Sequence, residues 1–348
     1  MPYFKNIIAL ILAICFVFTL HSISFAGQAS LIQKTIKQGD DVIISFRYQK
    51  DTDMHVVIGK CGINEMVNFK AIYLEKNTSD DVNAVIGKNA QLFMQACTDW
   101  LGPYVVKALE NGDGGGSAFT GGWHSIKRDE KYYKTGMTYS FDVMSNNRTI
   151  KENKVANGAV DIQIINLIKG YNTVKSERYL LREEIRIKAD NGQFDIKVRT
   201  TALEPIYITK YYGLQTQNGT WNGGVQYGND GINLINKCSE SGAKKDVGAI
   251  NNFSLWSEDK KHRLYCSIND KVGIGSFKNI PDNMSTIFTE AYGKTYFNLI
   301  NGNGVHLLSE ESVTWEGRYV FVSTYHNVLL SVADRIKTLV LKYLFPIS

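Results

Sequence analysis

The sequence predicts an all-β protein, a large antiparallel β-sandwich of jelly-roll or supersandwich type, on three observations. Apolar and polar residues alternate in run after run, Asn-Gly turns separate several of those runs, and helical spacing is confined to two short stretches. Period two puts successive side chains on opposite faces, one toward a core and one toward water. The elements follow in chain order.

Residues 1–26 read as an export signal. Lys5 supplies a charged start, Ile7 to Leu20 an apolar stretch, and Ser24 and Ala26 the small residues of a cleavage site. A membrane anchor needs about 20 apolar residues, and His21 and Ser22 interrupt this one. Cys15 does not suit a lipoprotein signal, because Ile14 stands where a small residue is wanted. The expectation is a secreted or periplasmic protein with one sandwich domain over 27–348 and no stable membrane insertion once the signal is cleaved.

Val42, Ile44, Phe46 and Tyr48 form the first clear strand face. Residues 80–97 suggest a short helix, with Ser79-Asp80-Asp81 as its start and Leu92, Phe93 and Ala96 on one side. Met137, Tyr139, Phe141 and Val143 alternate again, as do Val160, Ile162 and Ile164 after an Asn157-Gly158 turn. Asn191-Gly192 between two apolar runs predicts a hairpin. Residues 215–262, rich in Asn, Gly and Ser, read as a long loop of the lid or binding kind. Asn301-Gly302-Asn303-Gly304 predicts a second hairpin. Leu329, Val332, Ala333, Ile336 and Val340 predict a C-terminal helix over about 326–344 that caps an open end of the sandwich.

Charge and cysteine content narrow the class. The chain carries +5; removing 1–26 takes away Lys5 and no acid, which leaves 38 cations against 34 anions, or +4. That excess is compatible with an acidic polysaccharide but lacks the basic stripe of a nucleic-acid binder. Cys61, Cys97, Cys238 and Cys266 remain, an even number that suggests disulfides in an exported chain. The sequence-local pairing is 61–97 with 238–266.

No GxSxG, HExxH, CxxC or P-loop motif is present, and no cofactor or metal is expected. Asn111-Gly112-Asp113-Gly114 begins like a calcium loop, but Gly115 and Gly122 occupy positions that need ligands. Tyr296-Phe297-Asn298-Leu299 is similar to a stretch of aldose-1-epimerase (mutarotase) sequences. Those carry a His just before it, where this chain has Lys294 and Thr295. Four residues are too few to assign a family.

The segment from Cys97 to Ser125 carries the candidate chemistry. Asp99 and Trp100 lead into a glycine-dense loop that ends on Trp123-His124. Glycine lets a backbone approach a ligand closely, and an imidazole moves protons near neutral pH. A second group runs from Arg199 through Glu204, Tyr207, Lys210, Tyr211 and Tyr212 to Gln215. Together they suit β-elimination from a uronic-acid polysaccharide, which needs a cation on the carboxylate, a base and an acid. His124 and Tyr211 are the expected proton carriers, with Arg199 or Lys210 at the carboxylate. Trp100, Trp123, Trp221, Tyr212 and Asp99 are the expected substrate contacts.

Two other functions fit the same residues. A glycoside hydrolase would pair carboxylates, Asp99 with Glu204, about 5 to 9.5 Å apart. A non-catalytic carbohydrate-binding or cell-surface module would need only the aromatic groove.

Overall fold

The computed structural model describes residues 33–95, 99–228, 233–235, 242–243, 250–290 and 292–323. The expected signal peptide, the C-terminal helix, Cys97 and Cys238 lie outside the described residues. Almost all of the described strands fall in three sheets, and every strand pairing within them is antiparallel. The all-β sandwich is therefore the observed architecture.

A six-stranded sheet is a meander of Lys34–Gln38, Asp41–Gln49, Thr52–Cys61, Met66–Lys76 and Gln91–Gln95, with Val155–Asn157 on its outer edge. The ten-stranded sheet packs on it. Gly136–Ser145, Val160–Lys169, Tyr179–Asp190 and Gln193–Ala202 follow one another there, and Ser312–Ser323, His262–Ile268 and Asn252–Trp256 continue the sheet. A five-stranded sheet holds Tyr104–Ala108, Ile206–Gln217, Lys294–Leu307 and Ile287–Glu290, with Gly242–Ala243 at its edge.

The alternation read from the sequence sets the core. Val42, Ile44, Phe46 and Tyr48 are buried, as are Val160, Ile162 and Ile164 on the facing sheet. Phe69 of the first sheet meets Phe194 and Tyr319 of the second at ring distances of 5.5 and 5.4 Å, and Trp100 stacks on it at 5.1 Å. Each such ring contributes about 1.5–3 kcal/mol by leaving water. Asn191 and Gly192 both take positive φ, 44° and 85°, which makes the expected hairpin between the strands that end at Asp190 and begin at Gln193.

Four expectations are corrected. Residues 80–90 form no helix, and Gln91–Gln95 is a strand paired with Met66–Lys76. The backbone here finds buried carboxylates instead of helical partners: Asn83 N–H donates to Asp53 at 2.9 Å and Gly87 N–H to Glu75 at 3.3 Å. The Asn301–Gly304 stretch is no hairpin either. It lies inside the strand Lys294–Leu307, where Asn301 pairs with Lys210 and Val305 with Ile208, so a bulge absorbs the extra residues. Residues 215–262 are not one loop, since they include the strands Gly224–Tyr227 and Asn252–Trp256. Finally, no disulfide forms among the described residues, and Cys266 is a buried free thiol whose pKa burial raises. The 238–266 bridge is therefore absent. Cys61 is buried and donates to the Phe69 carbonyl at 3.8 Å.

Candidate functional site

A bulge decides which tyrosine reaches solvent. Along Ile206–Gln217 the pairing skips Thr209: Ile208 sits opposite Val106 and Lys210 opposite Val105. One extra residue reverses the facing of everything beyond it. Ile206, Ile208 and Tyr211 therefore point into the core, and Lys210 and Tyr212 point away.

Tyr211 is fully buried, stacks on Tyr104 at 4.0 Å and accepts the Trp315 indole N–H at 2.8 Å. Burial holds its pKa well above the ordinary phenol range. It cannot exchange protons with a ligand, which corrects its expected role. Trp100 and Trp221 are also fully buried and offer no face to a sugar. Trp100 serves through its carbonyl, which accepts from Gln215 N–H at 2.9 Å and from the Tyr319 hydroxyl at 2.7 Å.

Arg199 and Lys210 do not join His124. Arg199 lies in a separate depression of about 540 Å³ with Arg186 and Lys197, its guanidinium donating to Ser312 at 3.2 Å. Lys210 is an exposed residue of the five-stranded sheet and lines no part of the His124 cleft. Glu204 pairs with Arg178 at 2.8 Å, away from Asp99, so the expected carboxylate pair is not assembled.

The structure does bring Asp99, Trp123, His124 and Tyr212 to one cleft of about 290 Å³. The glycine loop is what makes this possible. Gly121 and Gly122 take φ of 77° and 50°, and a Cβ on Gly122 would fall 1.9 Å from Asp99 Oδ1. Only glycine at 122 lets Trp123 N–H reach that oxygen, at 2.5 Å. Asn64 secures the turn by donating to the carbonyls of Gly122 and His124, both at 2.8 Å.

Asp99 is the centre of the cleft, although its side chain is only 3% exposed. Its Oδ2 lies 3.1 Å from His124 Nε2 and 3.9 Å from Lys294 Nζ. A carboxylate beside Nε2 favours the ring proton there and leaves Nδ1 with the free lone pair. Burial pulls the Lys294 pKa below the ordinary lysine value, and the charge of Asp99 partly restores it. Asp99 is thus an orienting and charge-balancing group, where the sequence suggested a ligand contact.

Phenols form the opposite wall. The hydroxyls of Tyr292 and Tyr296 lie 2.5 Å apart, and Tyr212 packs on Tyr296 at 5.3 Å and on Phe119 at 5.4 Å. Burial pushes the Tyr212 pKa up to about 12 and raises that of Tyr296 as well. Both stay protonated at neutral pH and can donate, but not accept, a proton. Glu290 and the side chain of Gln215 complete the lining. No three metal-ligating side chains converge among the described residues.

Sequence reasoning missed Lys294, Tyr292, Tyr296 and Glu290 as site residues. Lys294 and Tyr296 had one signal, their place at and just before the short Tyr296–Leu299 motif. Nothing local marked Tyr292 and Glu290 as neighbours of the His124 loop, which lies far from them in sequence.

No family model matches the chain, and no curated protein matches it. Three solved structures share a broad architectural likeness. A galactose mutarotase-like protein from Clostridium acetobutylicum gives a TM-score of 0.36 at 9% identity, over 84% of this chain and 98% of that one. A protein assigned as an aldose 1-epimerase from Klebsiella pneumoniae gives 0.32 at 10%, over 88% and 86%. A protein assigned as a mutarotase from Salmonella typhimurium gives 0.33 at 8%, over 85% and 95%. Likeness at this level identifies neither a family nor an activity.

Proposed function

We propose that this cleft is the acid–base site of an exported carbohydrate-active enzyme, and that the reaction is β-elimination from a uronic-acid residue of a polysaccharide. One observation carries the reading. A buried carboxylate, Asp99, is shared by His124 and Lys294 inside an aromatic-walled cleft that also presents protonated phenols. Base, cation and proton donor are the three groups that this elimination requires.

The roles follow from the geometry. His124, with Asp99 behind Nε2, takes the proton from C5 through Nδ1. Lys294 faces the uronate carboxylate and disperses the charge that builds there when the C5–H bond breaks. The electron pair forms the C4–C5 double bond, the C4–O bond breaks, and the Tyr292–Tyr296 hydroxyl pair protonates the departing oxygen. Trp123 and Tyr212 provide flat apolar surfaces for the ring. Sequence supports export through the segment at 1–26, and the mild positive charge suits an acidic polymer.

The test is direct. The protein is incubated with a panel of uronate-containing and neutral polysaccharides while absorbance near 230 nm reports new C4–C5 double bonds. New reducing ends without that absorbance would replace elimination with hydrolysis. Retardation in affinity gels with neither signal would leave only a binding module.

A further inference from the structure

We propose that Gln215 determines specificity in this cleft by reading the adjacent O2 and O3 hydroxyls of the bound uronate ring, an inference that rests on the elimination reading above. Gln215 is 0% exposed and lines the cleft floor, yet neither its amide oxygen nor its amide nitrogen has a hydrogen-bond partner within the protein. A buried primary amide without partners is a costly arrangement that folded proteins rarely retain.

The backbone explains why the side chain cannot relax. Gln215 N–H donates to the Trp100 carbonyl at 2.9 Å, and its carbonyl accepts from the Tyr319 hydroxyl. The residue is fastened on both sides, just past a register break that starts at Tyr212. The neighbouring Gly102 is required first by the Tyr212 carbonyl, 1.4 Å from where a Cβ would stand, and the same Cβ would come within 3.0 Å of the amide nitrogen. The amide is therefore held in place at the floor, one donor and one acceptor side by side.

Substrate chemistry supplies the match. With the carboxylate at Lys294 and the C4–O bond the one that breaks, the ring hydroxyls left for recognition are O2 and O3. A vicinal diol offers one acceptor to the amide N–H and one donor to the amide oxygen. The amide is fully buried, so a neighbouring side chain of the cleft must move for a ring to reach it.

The experiment measures binding of methyl glucuronide and its 2-deoxy and 3-deoxy forms to wild type, Gln215→Leu and Gln215→Asn by ligand-observed NMR, with a melting curve for each protein. Wild type should bind the parent sugar about 5- to 100-fold more tightly than the deoxy forms, the worth of one or two neutral hydrogen bonds. Gln215→Leu should erase that preference while its Tm holds or rises, because two orphaned polar atoms have gone. Gln215→Asn, which keeps the amide but shortens its reach, should also lose the preference and covers the case in which the leucine variant does not fold. Equal discrimination in wild type and both variants would overturn the inference and leave the elimination reading intact. Absent turnover on every uronate polymer, with Gln215-dependent discrimination retained, would overturn elimination and leave the role of Gln215 standing.

Discussion

Replacing Asp99 with asparagine removes one charge and changes almost nothing in shape. The amide oxygen of the new side chain would still accept the Trp123 N–H, so the Gly121–Gly122 turn keeps its anchor. What is lost is the negative charge 3.1 Å from His124 and 3.9 Å from Lys294. Charge-assisted hydrogen bonds contribute about 1.5–3 kcal/mol each to stability. For a chain of this size that corresponds to a Tm fall of about 2–5 °C. The effect on turnover should be far larger. An imidazole that loses its partner carboxylate loses its preferred tautomer, and the same change in hydrolases with that pairing costs about 10⁴-fold in kcat. That is about 5.5 kcal/mol of barrier, more than the whole stability effect. The assay follows absorbance near 230 nm on the best polymer of the panel, with a thermal melt on the same sample. Full turnover in Asp99→Asn would refute the claim that Asp99 orients His124, whatever the melt shows.

Three further outcomes are expected. His124→Ala should lower turnover by about 10²–10⁴-fold while lowering Tm by only a few degrees, because the 3.1 Å contact with Asp99 is lost; kcat and the melting curve together check this. Tyr211→Phe should do the reverse: Trp315 N–H loses its acceptor, a cost of about 1–3 kcal/mol, while turnover persists. Stability should also depend on pH through His55, buried against Ser45 and Glu75, with Asp53 nearby. Burial lowers the His55 pKa, so the unfolded chain, titrating at about 6.5, binds more protons in the window just below that value. Stability is then fully present above about pH 6.5 and falls as pH drops toward the depressed folded pKa. Urea midpoints from about pH 7.5 downward should show that slope, and His55→Gln should flatten it.

The fold was legible in sequence where alternation marked Val42–Tyr48 and Val160–Ile164, whereas in the strand holding Met137, Tyr139, Phe141 and Val143 only Val143 is buried and Met137 and Tyr139 are exposed. Val42, Ile44, Phe46 and Tyr48 face the core as their spacing requires, although Ile43 and Ser45 on the other face are buried as well, and Val160, Ile162 and Ile164 show the period two of a half-buried strand. Asn191-Gly192 was legible for an equally local reason, since both residues adopt positive φ. Asn301–Gly304 carries the same residue types and means something else. Its glycines serve a bulge in mid-strand, and whether Gly-rich polar residues turn a chain or kink it depends on the strand beside them, which local sequence does not contain. The Ser79–Asp81 helix start failed in a related way, because its polar groups belong to a loop that binds Asp53 and Glu75 from other strands.

The same physics governs the site. Strict alternation places Tyr211 with Thr209 and Tyr207, so a one-residue bulge at Thr209 is enough to exchange the roles of two adjacent tyrosines. His124 and Asp99 were legible because the glycine loop makes them neighbours through local backbone geometry, and Gly122 leaves room for the Asp99 carboxylate against the Trp123 N–H. Lys294, Tyr292 and Gln215 were not legible as partners of that loop, since each reaches it across strand pairings made between distant parts of the chain. Yet all three lie close to irregular pairing: Gln215 at the register break beyond Tyr212, and Lys294 and Tyr292 at and before the start of the bulged strand opposite it. Irregular strands free backbone and side chains from the alternation that otherwise commits every second residue to the core. The cleft therefore sits where the sandwich departs from its own periodicity, and the residues that a periodic reading misassigns are the ones that line it.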